Sequence, residues 1–263
     1  MRANLVFALA LSGLASLATV LGSLLGMAVR RPGPKLMAFA LGFSAGVMMF
    51  VSFAELLWTG IHDVGFLPAA GAFFGGMLVM FAIDATVPHR FVLAHGAEPG
   101  CTPADSGSGQ LDPQRLLKIG TLVALGIGIH NLPEGMATFS GAIKSRGLGV
   151  AIAAAIALHN IPEGVAVAVP VFCATGSRRK ALFWSLLAGG AELAGAFIAA
   201  VILLPFLTPQ FLAVTLSAVA GLMVFISFDE LIPGSYAYGF EHLSVSGIIA
   251  GMFLMAASIW LLR

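Results

Sequence analysis

Long apolar runs, separated by short polar segments, make up almost the whole chain. Eight of these runs predict transmembrane helices, at about residues 4–29, 35–58, 66–87, 115–142, 147–172, 181–204, 208–230 and 243–262. Each run is long enough for a helix to cross a hydrocarbon core of ~30 Å. The pattern therefore predicts an all-α integral membrane protein built as a bundle of eight transmembrane helices.

The composition agrees with a single membrane domain over residues 1–263. Hydrophobic residues make up 59% of the chain and charged residues only 10%, a balance that excludes an ordinary soluble domain. The net charge of +1 argues against nucleic acid as a partner and leaves the lipid bilayer as the main surroundings.

One hexapeptide occurs twice inside these apolar runs, as HNLPEG at 130–135 and HNIPEG at 159–164. Helical spacing places the histidine and the glutamate of each copy on one face, because residues four apart are neighbours. Imidazole nitrogen, carboxylate oxygen and amide oxygen together suit a divalent metal ion. The candidate ligands of the two copies are His130, Asn131, Glu134, His159, Asn160 and Glu163. The alternative is that they only form hydrogen bonds between helices, but two matched copies favour a metal site.

A second repeat relates the first and last thirds of the chain. Residues 46–58 align without gaps on residues 221–233 with seven of thirteen positions identical, and Glu55 matches Glu230. The two stretches belong to spans two and seven, which cross the membrane in opposite directions. We therefore predict inverted-repeat halves, spans 1–3 and 6–8, around a central pair, spans 4–5. Transporters use this arrangement and bind their substrate near the midplane.

Further acidic residues extend the candidate site. Glu192 lies deep in span six among glycines and alanines, where a carboxylate needs a metal ion or a proton, so we interpret it as another metal ligand. Four acids near the ends of spans could form an ion pathway or could be interfacial charges that face water. They are Glu55, Asp84, Asp229 and Glu230.

Basic residues indicate the orientation of the chain in the membrane. Nine lysines and arginines lie on the side of the loops after spans one, three and five, against four on the other side. The positive-inside rule then places both termini outside the cytoplasm. Residues 88–114, rich in Gly, Pro, Ser and Ala, are predicted to form a flexible cytoplasmic loop.

The paired HNxPEG motifs, in eight predicted spans, resemble the ZIP family of divalent-metal transporters, most closely its bacterial zinc-uptake branch. The resemblance implies import through a binuclear site in the bacterial inner membrane, a possible homodimer, and movement of spans one, four, five and six against the rest. It assigns one ion to His130, Glu134, His159 and Glu163. It assigns the other to Asn131, Asn160 and Glu192, with Glu134 and Glu163 shared.

The ligand types predict the cargo, and no resident cofactor is expected. With no cysteine near either motif, the site offers imidazole, carboxylate and amide oxygen, which admit zinc together with iron(II), cobalt, manganese and cadmium. Calcium and magnesium should be poor substrates, because these hard cations prefer shells made only of oxygen.

Two other functions are weighed against metal import. A metal exporter or proton-coupled antiporter would need the same ligands, since ligands alone do not set direction. An intramembrane metallohydrolase would ordinarily carry HExxH, whereas asparagine follows each histidine here and cannot act as a base. We therefore expect a transporter that is not an enzyme.

Overall fold

The computed structural model describes residues 2–29, 33–86, 113–203 and 208–262. Eight helices follow the predicted spans, and the described residues contain no β-strand. The helices are α1 (Arg2–Val29), α2 (Pro34–Val64), α3 (Phe66–Thr86), α4 (Pro113–Lys144), α5 (Arg146–Thr175), α6 (Arg178–Leu203), α7 (Pro209–Tyr236) and α8 (Glu241–Leu262). The predicted all-α bundle is confirmed. The predicted loop 88–114 lies outside the described residues, except that its last two residues begin α4.

Seven of the eight helices are long and apolar enough to cross a membrane, judged over the described residues by length and composition. The exception, α4, has 32 residues but is the least apolar of the long helices. It carries the first hexapeptide and the basic residues near its ends, which explains its lower hydropathy. Together the helices make a multi-pass membrane protein.

Two of the helices contain a π-helical segment at matching positions of the α2–α7 repeat. The segments are Ser52–Leu57 in α2 and Ser227–Leu231 in α7, and each carries the glutamate that the alignment pairs. A π segment adds a residue to the turn and rotates the following side chains, and such segments are frequent at functional sites. Both helices run beyond their predicted ends at 58 and 230. In α7 the continuation tolerates Pro233 because it lies in the first turn of the segment Ile232–Tyr236.

The helices pack as two groups. Helices α1, α4, α5 and α6 pack against one another, whereas α2 packs mainly on α8 and α3 on α7. The α2–α8 and α7–α3 pairs have the same kind of close contact. A Cβ added to Gly46 of α2 would collide with the Ile248 carbonyl of α8. A Cβ added to Gly221 of α7 would collide with the Phe73 carbonyl of α3. Glycine therefore permits the same close crossing in both pairs. The inverted-repeat halves predicted from the sequence are confirmed.

A tight hairpin joins the two helices that carry the hexapeptides. Ser145 separates α4 from α5, and its hydroxyl accepts a hydrogen bond from the Leu148 amide, which caps α5. Glu134 lies 11 residues before Ser145 and His159 lies 14 residues after it. At 1.5 Å per residue the two side chains sit at nearly the same depth. The hairpin thus aligns the two motifs across one interface.

Candidate metal site

Three side chains of the two hexapeptides converge on one point between α4 and α5. Glu134, His159 and Glu163 each offer a ligand atom, and these atoms all lie within 4.8 Å of one another. His159 Nε2 is 2.9 Å from Glu134 Oε1, so the contact crosses from one motif to the other. All three residues are buried. Two carboxylates and an imidazole form a donor set that suits a transition-metal dication.

The two asparagines and Glu192 form an adjoining layer toward α1 and α6. Asn160 Nδ2 donates to Glu192 Oε2 at 2.9 Å and to the Ala15 carbonyl at 3.3 Å. Asn131 Nδ2 donates to the Ala188 carbonyl at 2.9 Å. Because these donors are engaged, each amide oxygen is held in place as an available acceptor.

Buried oxygens without a hydrogen-bond partner mark the site. Among the described residues, six such side-chain oxygens belong to the predicted ligands. They are Asn131 Oδ1, Glu134 Oε2, Asn160 Oδ1, Glu163 Oε1, Glu163 Oε2 and Glu192 Oε1. A buried acceptor without a donor costs about 1–3 kcal/mol, and more when it is charged. Their concentration at one place fits a cation that would accept their lone pairs.

Negative charge accumulates here without compensation by lysine or arginine. Glu163 lies near enough to Glu134, Glu192 and Glu230 for their charges to interact. Glu134 and Glu230 each lie beside a histidine, and within the described residues none of these four carboxylates forms an ion pair with a lysine or an arginine. Several carboxylates in one buried volume repel each other and favour a bound dication.

His130 stands apart from the central cluster in this conformation. Its Nε2 lies 3.3 Å from Glu230 Oε2 on α7, while Glu134, on the same face of α4, contacts His159 instead. Asp84 and Asp229 lie close enough to Glu230 for their charges to interact with it. Two of the predicted pathway acids, Asp84 and Asp229, therefore lie near a third, Glu230, which contacts a histidine of the site.

The fourth pathway acid, Glu55, occupies a different place. It lines a cavity of about 320 Å³ together with Thr59, Lys144 and Ser145, at the end of the bundle where α4 turns into α5. At that end the ammonium of Lys144 pairs with the carboxylate of Asp63 at the end of α2. Glu55 thus lies beside the turn between α4 and α5, whereas Glu230 contacts α4 at His130.

Two serines that support the second motif were not predicted from the sequence. Ser44 Oγ of α2 donates to the His159 carbonyl at 3.0 Å, and Ser23 Oγ of α1 donates to the Gly164 carbonyl at 2.9 Å. Pro162 has no N–H and leaves the Leu158 carbonyl without its helical donor. The serines instead add donors to the neighbouring carbonyls of His159 and Gly164, and nothing in the sequence indicates which helices supply them.

Known proteins are similar to this chain over nearly its whole length. The profile of the family described as "ZIP Zinc transporter" matches residues 85–258. A protein named Zinc transporter ZupT from Akkermansia muciniphila is 49% identical over 94% of each chain. Proteins of the same name from Corynebacterium efficiens and Lysinibacillus sphaericus are each 44% identical, over 98% and 100% of both chains. With buried imidazole and carboxylate groups at the motifs and relatives matched along nearly the whole length, the chain belongs to the ZIP family of zinc transporters.

Proposed function

We propose that this protein imports divalent transition-metal ions, zinc first among them, across the bacterial inner membrane into the cytoplasm. The observation that carries the proposal is the cluster of Glu134, His159 and Glu163, buried and within 4.8 Å, at the centre of a helical membrane bundle. Relatives named as zinc transporters make zinc the leading cargo.

The donor set supports a wider range of substrates than zinc alone. Imidazole together with carboxylate and amide oxygen admits zinc, iron(II), cobalt, manganese and cadmium, whereas calcium and magnesium prefer shells made only of oxygen. Carboxylate and amide oxygens, without thiolate, bind with the modest affinity that a transporter needs in order to release its cargo.

Two ions are proposed to share the site. The first is bound by Glu134, His159 and Glu163, with His130 completing the set assigned by the family pattern. The second is bound by the layer of Asn131, Asn160 and Glu192, with Glu134 and Glu163 shared between the two ions. Support comes from the unpartnered oxygens, which occur in both layers, and from the charges of Glu163 and Glu192, which both interact with Glu134.

Alternating access is proposed to move α1, α4, α5 and α6 as one group against the other four helices. Every proposed ligand lies on this first group, so the group carries the ions with it. The contact of His130 with Glu230 joins the two groups and would break during the movement. Both termini are proposed to lie outside the cytoplasm. A membrane potential of 100 mV, negative inside, favours the entry of a cation by about 2.3 kcal/mol per charge, and of a dication by roughly twice that. The homodimer stays a prediction.

Flux through the purified protein in liposomes tests the proposal. We expect zinc influx, reported by an indicator trapped inside, to increase when a potassium gradient makes the interior negative. Glu163→Gln should abolish the flux because it removes a charged ligand without changing the size of the side chain. Glu241→Gln is the matched control, since Glu241 is exposed at the start of α8.

The same experiment separates the alternatives. An antiporter would need an opposing proton gradient before zinc moved, and a metallohydrolase would show no flux under any gradient. Competition by an excess of each other metal ion then ranks the substrates. If only zinc competes, ligand softness does not set the selectivity.

A further inference from the structure

Helices α1 and α6 are related by the same internal repeat as the outer helices. Residues 8–26 of α1 align without gaps on residues 181–199 of α6, with seven of nineteen positions identical. Among the identities, Ser12 matches Ser185 and Gly22 matches Gly195. Both serines are fully buried and donate to the carbonyl four residues earlier. The alignment places Thr19 opposite Glu192.

Contacts to the hexapeptides reproduce this alignment in three dimensions. A Cβ on Gly135 would collide with the Glu192 carbonyl, and a Cβ on the matching Gly164 would collide with the Thr19 carbonyl. The asparagines follow the same rule. Asn131 donates to the carbonyl four residues before Glu192, and Asn160 donates to the carbonyl four residues before Thr19. Thr19 therefore occupies the place in the first half of the site that Glu192 occupies in the second.

The Thr19 hydroxyl lacks the partner that a helical threonine normally uses. Buried hydroxyls in helices commonly donate to the carbonyl four residues earlier, as Ser12 does to Ala8. For Thr19 that carbonyl belongs to Ala15 and accepts from Asn160 instead. Thr19 is fully buried, and its Oγ1 has no hydrogen-bond partner among the described residues.

From these observations we propose that Thr19 is the counterpart of Glu192 in the metal site and supplies a neutral hydroxyl oxygen to the bound dication or to its innermost water. This deepens the proposed function and rests on it. The side of the site formed by α6 would then carry a charged carboxylate, whereas the equivalent side formed by α1 would carry only a neutral hydroxyl. The ion would then bind more weakly on the side of α1, which makes release easier there.

Removing the hydroxyl without changing the side-chain volume tests the role. We expect Thr19→Val to weaken zinc binding about tenfold, the lower end of the effect of residues that support metal ligands. Thr19→Ser keeps the hydroxyl and should bind within about twofold of the wild type. Ser12→Ala, on the same helix and equally buried, is the matched control and should leave the affinity unchanged. The affinity is measured on purified protein by competition with a chromophoric zinc chelator, beside the Tm of the metal-free protein.

The outcomes separate this inference from the proposed function. Wild-type protein that binds no zinc would overturn both. Zinc binding by Thr19→Val equal to that of the wild type would overturn only the role of Thr19. An equal loss of affinity in Thr19→Val and Thr19→Ser, accompanied by a lower metal-free Tm, would mean that Thr19 only packs against α6 and would also overturn it.

Discussion

His159, in the second hexapeptide, places its Nε2 2.9 Å from Glu134 of the first copy, whereas the Nε2 of His130 lies 3.3 Å from Glu230 on α7. The two glutamates that the α2–α7 repeat pairs also differ. Glu230 contacts the site histidine, but Glu55 lines a cavity whose described lining contains neither histidine. Nearly identical hexapeptides thus have different partners.

This difference indicates that the two-fold symmetry of the sequence is not kept in a single conformation. In transporters built from inverted repeats, the halves exchange arrangements when access changes from one side to the other. Applied here, the symmetry predicts a second conformation in which His130 joins Glu163 and His159 faces Glu55. The contact of His130 with Glu230 would then break when the protein changes to the second conformation.

The largest effect is expected when either of the two glutamates proposed to bind both ions is removed. Glu134→Ala and Glu163→Ala should each abolish zinc uptake while the protein stays folded in the membrane, because each carboxylate is proposed to bind both ions. Uptake by cells that express each variant, normalised to its amount in the membrane, measures this. Normal uptake by either variant at low metal concentration would refute the shared site.

Substituting His159 and His130 one at a time tests whether the two histidines have different functions. His159→Ala should raise the KM for zinc by roughly tenfold or more, since it removes a proposed ligand from the central cluster. His130→Ala should lower the maximal rate more than it raises KM, because it removes a contact between the two groups of helices that are proposed to move. Initial rates over a range of zinc concentrations distinguish the two patterns. Equal effects of both substitutions on KM would show that the asymmetry has no functional meaning.

The pH dependence of zinc uptake tests the proposed metal-binding role of both histidines at once. Uptake should weaken as pH falls from about 7 to 5, because metal ligands must be deprotonated and protons compete with the metal ion for them. Initial rates are compared at fixed free zinc and membrane potential. A rate that stays flat or rises on acidification would contradict the expectation. His159→Ala, already lacking one imidazole, should show a shallower dependence.

The smallest effect is expected at the ion pair of Lys144 with Asp63. It joins the α4–α5 hairpin to the end of α2, and both side chains are partly exposed, so the pair contributes at most about 1 kcal/mol. Asp63→Asn should change the maximal rate by no more than about fivefold and leave KM unaltered. Exchanging both charges, Asp63→Lys with Lys144→Asp, should restore the rate. No recovery in the double variant would show that the pair does not connect the two groups.

Much of the fold could be predicted because a membrane span needs only a long apolar run. Eight runs gave eight helices, and the 46–58 and 221–233 repeat gave the inverted halves. The π-helical segments at Ser52–Leu57 and Ser227–Leu231 could not be predicted, because an extra residue in a turn leaves the apolar pattern almost unchanged. They rotate Glu55 and Glu230, and so decide which neighbours these acids meet.

The candidate site was predicted as a set of residues but not as a set of contacts. Spacing places His159 and Glu163 on one face of a helix, and it also places His130 beside Glu134. It does not say that His159 reaches across to Glu134 or that His130 faces α7. Such pairings depend on how far each helix rotates against its neighbours, which the hydrophobic period fixes only coarsely.

Anomalous scattering from crystals grown with zinc tests the proposed two-ion site directly. We expect a strong zinc peak between Glu134, His159 and Glu163 and a second peak near Asn131, Asn160 and Glu192. Glu163→Gln should lose or weaken both peaks. Zinc bound elsewhere, with no peak among these residues in the wild type, would contradict the proposed site.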